Sequence, residues 1–261
     1  MNILEQIAER TKERIQKKKM IFSLAEQRKA AEENSRLAPS FAEALRQSEL
    51  SFICEVKKAS PSKGVIAEEF PYLDIAAEYE QAGAAAISCL TEPYWFQGRD
   101  RYLREIASQV GIPVLRKDFT VDEYMIYEAK EMGAAAVLLI CGILDDGQLK
   151  AYGQLTQELG MAALVEAHSE REVERALRAK DQVIGVNNRD LRTFQVDVGN
   201  SIRLRKMVPK EIPFVSESGI RTSQDMRVLY ENGTDAVLIG ETLMRAPDKK
   251  AMLRELRGKI G

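Results

Sequence analysis

A chain of 261 residues with 45% apolar and 30% charged side chains can bury a sizeable core, and its length is close to the ~250 typical of a single eight-stranded α/β barrel. Lysine plus arginine (38) almost cancels aspartate plus glutamate (40), for a net charge of −2, so bulk charge gives no reason to expect nucleic acid or an anionic membrane as partner. Three cysteines without C-x-x-C spacing (Cys54, Cys89, Cys141), a charged N-terminus and no apolar run of ~18 residues exclude a disulfide framework, a signal peptide and a membrane span, so a cytoplasmic protein is expected.

In chain order, residues 1–48 read as a helical extension. Its dense basic stretch from Arg10 to Lys19 is interleaved with glutamate and predicts a solvated helix face rather than a nucleic-acid patch. Short apolar runs at 51–57, 85–90, 113–116, 135–140, 161–166, 182–186, 213–217 and 235–239 then predict eight strands. Amphipathic segments near 72–82, 100–109, 121–131, 145–159, 169–179, 200–207, 222–231 and 248–257 predict a helix after each. Gln81-Ala82-Gly83-Ala84, Glu131-Met132-Gly133-Ala134 and Glu231-Asn232-Gly233-Thr234 repeat one junction, in which glycine ends a helix and small residues open a buried strand; Glu158-Leu159-Gly160-Met161 is a weaker copy.

Strands apolar on both faces fit a parallel sheet covered by helices. Eight of them, with no G-x-G-x-x-G after the first, favour a closed (β/α)₈ TIM barrel over an open doubly wound sheet. The expected organisation is a single domain overall, with an extension at 1–48 and a barrel at 49–261.

The C-terminal strand ends are where such a barrel does chemistry. Glu55 and Lys57 share one face of the first strand, inward if Cys54 and Val56 pack on helices. Lys117 ends the third strand and Glu166 the fifth. Asn187 and Arg189 follow the sixth, Glu217 and Ser218 the seventh. Such polarity at five strand ends predicts one convergent pocket. The loops after the last two strands, Ser218-Gly219-Ile220 and Gly240-Glu241-Thr242, suit phosphate, because glycine lets backbone N–H groups approach an anion. His168, the only histidine, cannot build a metal site and reads as the opening of a helix. Tyr94-Trp95-Phe96 reads as a cluster packed over the rim.

Glu55-Val56-Lys57-Lys58-Ala59-Ser60-Pro61 closely resembles the signature of indole-3-glycerol-phosphate synthases. Leu115-Arg116-Lys117-Asp118-Phe119, Leu164-Val165-Glu166-Ala167-His168, Gly185-Val186-Asn187-Asn188-Arg189-Asp190-Leu191, Val215-Ser216-Glu217-Ser218-Gly219-Ile220 and Leu238-Ile239-Gly240-Glu241 resemble that family's strand-end motifs in order. The resemblance implies ring closure, decarboxylation and dehydration of 1-(2-carboxyphenylamino)-1-deoxyribulose 5-phosphate, in tryptophan biosynthesis, with no metal or organic cofactor. It implies Lys117 as general acid and Glu166 as its partner in dehydration. Lys57 binds the carboxylate or shares the acid role, Glu55 orients Lys57, and Asn187 and Glu217 meet the ribulose hydroxyls. Ser60, Ser218, Gly219, Gly240 and Glu241 fall around the phosphate, Arg189 holds the anthranilate carboxylate or braces the catalytic carboxylates, and Phe119 and Leu138 lie against the anthranilate ring. The expected partner is a phosphorylated small molecule, met by a monomer without nucleic acid or membrane. A lysine Schiff-base aldolase and a barrel that only binds a phosphorylated ligand are the competing readings.

Overall fold

The computed structural model describes residues 2–46, 49–179, 183–190 and 193–258. Residue 182 of the predicted sixth strand, Leu191 of its motif and residues 47–48 of the extension lie outside the described residues. Eight parallel strands close on themselves in chain order: β1 (Ser51–Val56), β4 (Ala86–Leu90), β5 (Val114–Lys117), β6 (Ala136–Ile140), β7 (Ala162–Ala167), β8 (Val183–Asn187), β9 (Phe214–Glu217) and β10 (Ala236–Ile239). The barrel closes where Ser51 pairs with Ala236 and Ile53 with Ala86. The (β/α)₈ barrel read from the sequence is the observed fold.

Helices α4 (Tyr72–Gln81), α5 (Asp100–Gln109), α6 (Glu123–Glu131), α7 (Asp146–Glu158), α8 (Glu170–Arg178), α9 (Gly199–Arg205), α10 (Ser223–Glu231) and α12 (Lys249–Arg257) stand where the amphipathic segments predict them. Gly83, Gly133, Gly160 and Gly233 all have left-handed backbones, with φ between +72° and +85°, as the repeated junction requires. Period-two alternation splits the core into two layers. Cys54, Val56, Cys89 and Leu139 face the helices, whereas Ile53, Leu115, Leu138 and Leu164 fill the barrel interior.

Three features are absent from the sequence reading. A short antiparallel hairpin, β2 (Ala59–Ser60) with β3 (Gly64–Val65), rises from the loop after β1, and a short helix, α11 (Glu241–Arg245), follows β10. The extension also divides into α1 (Ile3–Ile21), α2 (Leu24–Glu33) and α3 (Phe41–Ala44). Phe41 of α3 and the adjoining Leu45 join the interior layer ahead of β1, while Ile3, Leu4 and Ile7 of α1 lie over the opposite, C-terminal mouth.

The basic stretch of α1 is only partly the solvated face expected. Arg10 and Lys12 are exposed beside Glu13 and Glu9. Arg14, however, grips both carboxylate oxygens of buried Asp118 at 2.9 Å. Lys18 bridges Asp100 and Glu128 at 2.5 Å each, and Lys19 pairs with Asp122 at 2.7 Å. These partners belong to the barrel, so one side of the stretch is a docking surface. Among the described residues no helix is long and apolar enough to cross a membrane.

Candidate active site

A cavity of about 490 Å³ opens at the C-terminal end of the barrel. Glu55, Lys57, Lys117, Glu166, Asn187 and Glu217 all line it, each delivered by or just beyond the end of a different strand or, for Glu55 and Lys57, by two positions on the same face of β1. Lys57 Nζ pairs directly with Glu55 Oε1. That pair occupies space left by Gly240: a Cβ there would stand 2.2 Å from Glu55 Oε1 and 2.8 Å from Lys57 Nζ. Gly185 of β8 makes the same allowance for Glu217, whose Oε1 lies 2.3 Å from where a Cβ would fall. Gly185 carries no functional group, and its role is visible only once the strands are side by side.

Lys117 Nζ stands 3.7 Å from Glu166 Oε2. Burial lowers the proton affinity of Lys117, but Glu166, Glu217 and Glu55 outweigh it, and the net effect is to hold the ammonium more firmly than usual. Glu217 moves the other way. Burial and the neighbouring Glu166 push its carboxyl up to about 8 against the pull of Lys117, so at neutral pH it is largely a neutral hydrogen-bond donor. Glu166 Oε2 and Glu217 Oε1 are buried without a hydrogen-bond partner in the protein. Buried polar atoms of this kind mark positions that a bound molecule or water completes.

The predicted anion loops border the same cavity. Ser218 and Gly219 are consecutive left-handed residues, with φ +68° and +86°, and a Cβ on Gly219 would meet Val196 Cγ1 at 2.4 Å. Gly240 caps α11 without a side-chain hydrogen bond to its first turn. Ser60 reaches the cavity from the β2–β3 hairpin, and Lys63, Arg221 and Arg245 add cations the sequence reading missed. Glu241 also lines the mouth, where it pairs with Arg245 at 3.1 Å and lies 3.6 Å from Lys63.

Phe119 lines the cavity and packs against Phe96, with ring centroids 6.0 Å apart. Phe96 is held there because Glu92 accepts the backbone N–H groups of Tyr94, Trp95 and Phe96 at 2.7–3.0 Å, which fixes the aromatic cluster at the rim. Leu138 differs from expectation. It is 1% exposed in the interior layer and does not line the cavity; Ile140, two residues on and therefore on the same face, takes that place. The period was legible but the depth of the cavity floor was not. Arg189 lines the cavity and donates to the Phe194 carbonyl at 3.4 Å. Asn187 accepts the backbone N–H of Arg189 at 3.0 Å, and neighbouring Asn188 ties the loop to Ser216 and the Ser218 carbonyl, each at 3.0 Å.

The family model described as indole-3-glycerol phosphate synthase matches residues 4–256. An indole-3-glycerol phosphate synthase of Ruminiclostridium cellulolyticum is 55% identical over 98% of this chain and 99% of its own length. One from Endomicrobium trichonymphae is 53% identical over the same shares. Among solved structures, the 3-hexulose-6-phosphate synthase of Salmonella typhimurium superposes with a TM-score of 0.65 at 14% identity, covering 79% of this chain and 96% of that one. A likeness at that identity speaks for the barrel alone.

Proposed function

The chain belongs to the indole-3-glycerol phosphate synthase family of carboxy-lyases, and from that premise we propose how its cavity turns 1-(2-carboxyphenylamino)-1-deoxyribulose 5-phosphate into indole-3-glycerol phosphate, CO₂ and water. The observation that carries the reading is Lys117, a firmly protonated ammonium set among Glu166, Glu217 and Glu55 in a cavity that also has an aromatic wall and glycine-rich loops suited to phosphate.

Lys117 protonates the ketose carbonyl oxygen while the aniline ring carbon attacks the carbonyl carbon. The carboxylate then departs as CO₂ and aromaticity returns. The hydroxyl so formed takes a second proton from a lysine ammonium of the cavity and is lost as water, with Glu166 taking the proton released as the indole double bond forms. Lys57 holds the anthranilate carboxylate or shares the acid role, and Glu55 fixes the direction of its ammonium. Neutral Glu217 and Asn187 hydrogen-bond the ribulose hydroxyls. Arg189 faces the anthranilate carboxylate, Phe119 its ring. Ser60, Ser218, Gly219 and Gly240 cradle the phosphate, with Glu241 at the start of α11 beside it. Every step is a proton transfer or a heterolysis within the capacity of these side chains, so the route calls for no metal or organic cofactor. A Schiff-base route would require a neutral amine, and the raised proton affinity of Lys117 opposes it.

The same reading places the chain in tryptophan biosynthesis as a cytoplasmic monomer, with residues 1–48 an extension of a barrel at 49–261. Mixing the protein with the carboxyphenylamino-deoxyribulose phosphate in metal-free buffer should give indole fluorescence. Lys117→Ala should lower kcat by about 10²–10⁴-fold. No product from the unaltered protein would overturn the reading, and full activity in the variant would overturn the acid assignment.

A further inference from the structure

Ring closure with loss of CO₂, on the reading proposed above, consumes a proton. The anionic anthranilate carboxylate leaves as a neutral molecule. Protonating the carbonyl oxygen and expelling the resulting hydroxyl as water take two protons, and forming the double bond returns one. One proton per turnover must therefore enter from solvent, while the substrate sits over Lys117, whose side chain is only 17% exposed even in the open cavity.

A line of ionisable groups leads out from that lysine. The two oxygens of Glu166 face different partners: Oε2 lies 3.7 Å from Lys117 Nζ, and Oε1 lies 3.7 Å from His168 Nε2. On the far side of the ring, His168 Nδ1 stands 3.6 Å from Glu172 Oε2. Glu166 lines the catalytic cavity. His168 and Glu172 line a second cavity of about 620 Å³, bordered by Gly142, Ser169, Asn188 and Asp197 from the loops after β6, β7 and β8. His168 Nε2 and Glu166 Oε2 are buried without hydrogen-bond partners, so no competing bond ties either down.

We propose that His168 delivers the proton consumed in each turnover from the second cavity to Glu166, and through it to Lys117. The imidazolium Nε2–H bond breaks as an O–H bond forms on Glu166. Glu166 passes a proton to the neutral Lys117 amine and restores the ammonium. The neutral ring left behind keeps its Nδ1–H; a half-turn carries the bare Nε2 to the side of Glu172, where it takes the replacement proton from water of the second cavity, and the return turn presents Nε2–H to Glu166 again. The 3.7 Å separations close to hydrogen-bonding distance with a movement of about 1 Å, the usual tightening of catalytic contacts on substrate binding. The groups facing the ring suit the role. Burial alone would lower its proton affinity, but Glu172 from α8, Glu166 from β7 and Glu217 from β9 reverse that, and the net shift is upward. Its carbonyl is fixed by Asn200 Nδ2 of α9 at 3.2 Å and its N–H by Glu172 at 2.7 Å. His168 acts through Glu166 and is thus a positioning and delivery residue rather than one that touches substrate.

The test is His168→Gln in the full chain, assayed beside the unaltered protein. Expected are a kcat lower by about 10²-fold, a KM changed by less than about twofold, loss of the alkaline limb of the kcat–pH profile, and recovery of kcat by added imidazole in proportion to its protonated fraction. Glu172→Gln, which removes the first carboxylate holding the ring protonated, should move that limb to lower pH. A kcat within about twofold of the unaltered protein, or a loss that imidazole does not repair, overturns the proposal. If His168→Gln does not fold, an unmoved limb in Glu172→Gln overturns it instead. Absence of product from the unaltered protein would be a failure of the synthase reading, not of the proton route.

Discussion

Glu217 shows how burying a carboxyl makes the stability of the fold depend on pH. It is 2% exposed, close to Glu166 and Glu55, and its carboxyl is pushed up from an ordinary 4.5 to about 8, chiefly by burial. A group whose proton is held more tightly in the folded state stabilises the fold fully below its unfolded value, and that contribution is lost as pH rises through the folded one. Glu217→Gln stays neutral throughout, so its Tm should match the unaltered protein near about pH 4.5 and increasingly exceed it up to about pH 9. Thermal melts across that range check the sign; a constant difference would mean that burial of charge is not the cause. At this scale the sequence was most informative about which polar side chains line the cavity. Glu55, Lys57, Lys117, Glu166, Asn187 and Glu217 were legible because each lies at the end of an apolar run, and all six meet in one cavity. Leu138 was misplaced by one layer, because alternation tells which face a side chain takes but not how deep the cavity reaches.

Helix α1 is the element whose function the sequence concealed. Arg14, with 10% of its side chain exposed, meets fully buried Asp118, a partner 104 residues away that also accepts from Thr91 at 2.7 Å. Arg116, 1% exposed, shares Glu128 and Asp100 with Lys18, so Arg14, Lys18 and Arg116 face Asp100, Asp118 and Glu128 in one balanced network. Arg116 and Asp118 flank Lys117, so the helix that roofs the cavity also braces the strand end that carries Lys117. Arg14→Ala leaves the Asp118 charge buried with one partner fewer and should cost about 3–5 kcal/mol in urea unfolding. Lys12→Ala, on the solvated side, should leave the transition in place. A double-mutant cycle with Asp118→Asn that shows no coupling would remove the pair from this account. Residues 1–48 were legible as helical, but nothing local distinguishes a lysine bound for solvent from one bound for a carboxylate in another part of the chain.

Over the whole molecule, the three cysteines report on how continuously the barrel is sealed. Cys54 and Cys89 lie between strands and helices and Cys141 just beyond β6, all buried, and burial pushes each thiol up, that of Cys141 to about 12. A thiol reagent near neutral pH should find none of the three in the native protein and all of them after denaturation; rapid native labelling would reveal a local opening of the helix layer. The alternation of strand and helix, the left-handed glycines at the junctions and the residue types at the strand ends were determined by the sequence itself. Each depends on neighbours within a turn or a strand, where periodicity and backbone preference act directly. The tertiary structure alone decided that Lys117 stands beside Glu166, that Gly185 and Gly240 make room for carboxylates, and that Arg14 is a buried tie. Those relations are made by closing the barrel, which brings together strand ends far apart in the chain, and the burial and electrostatics that set their protonation exist only after closure.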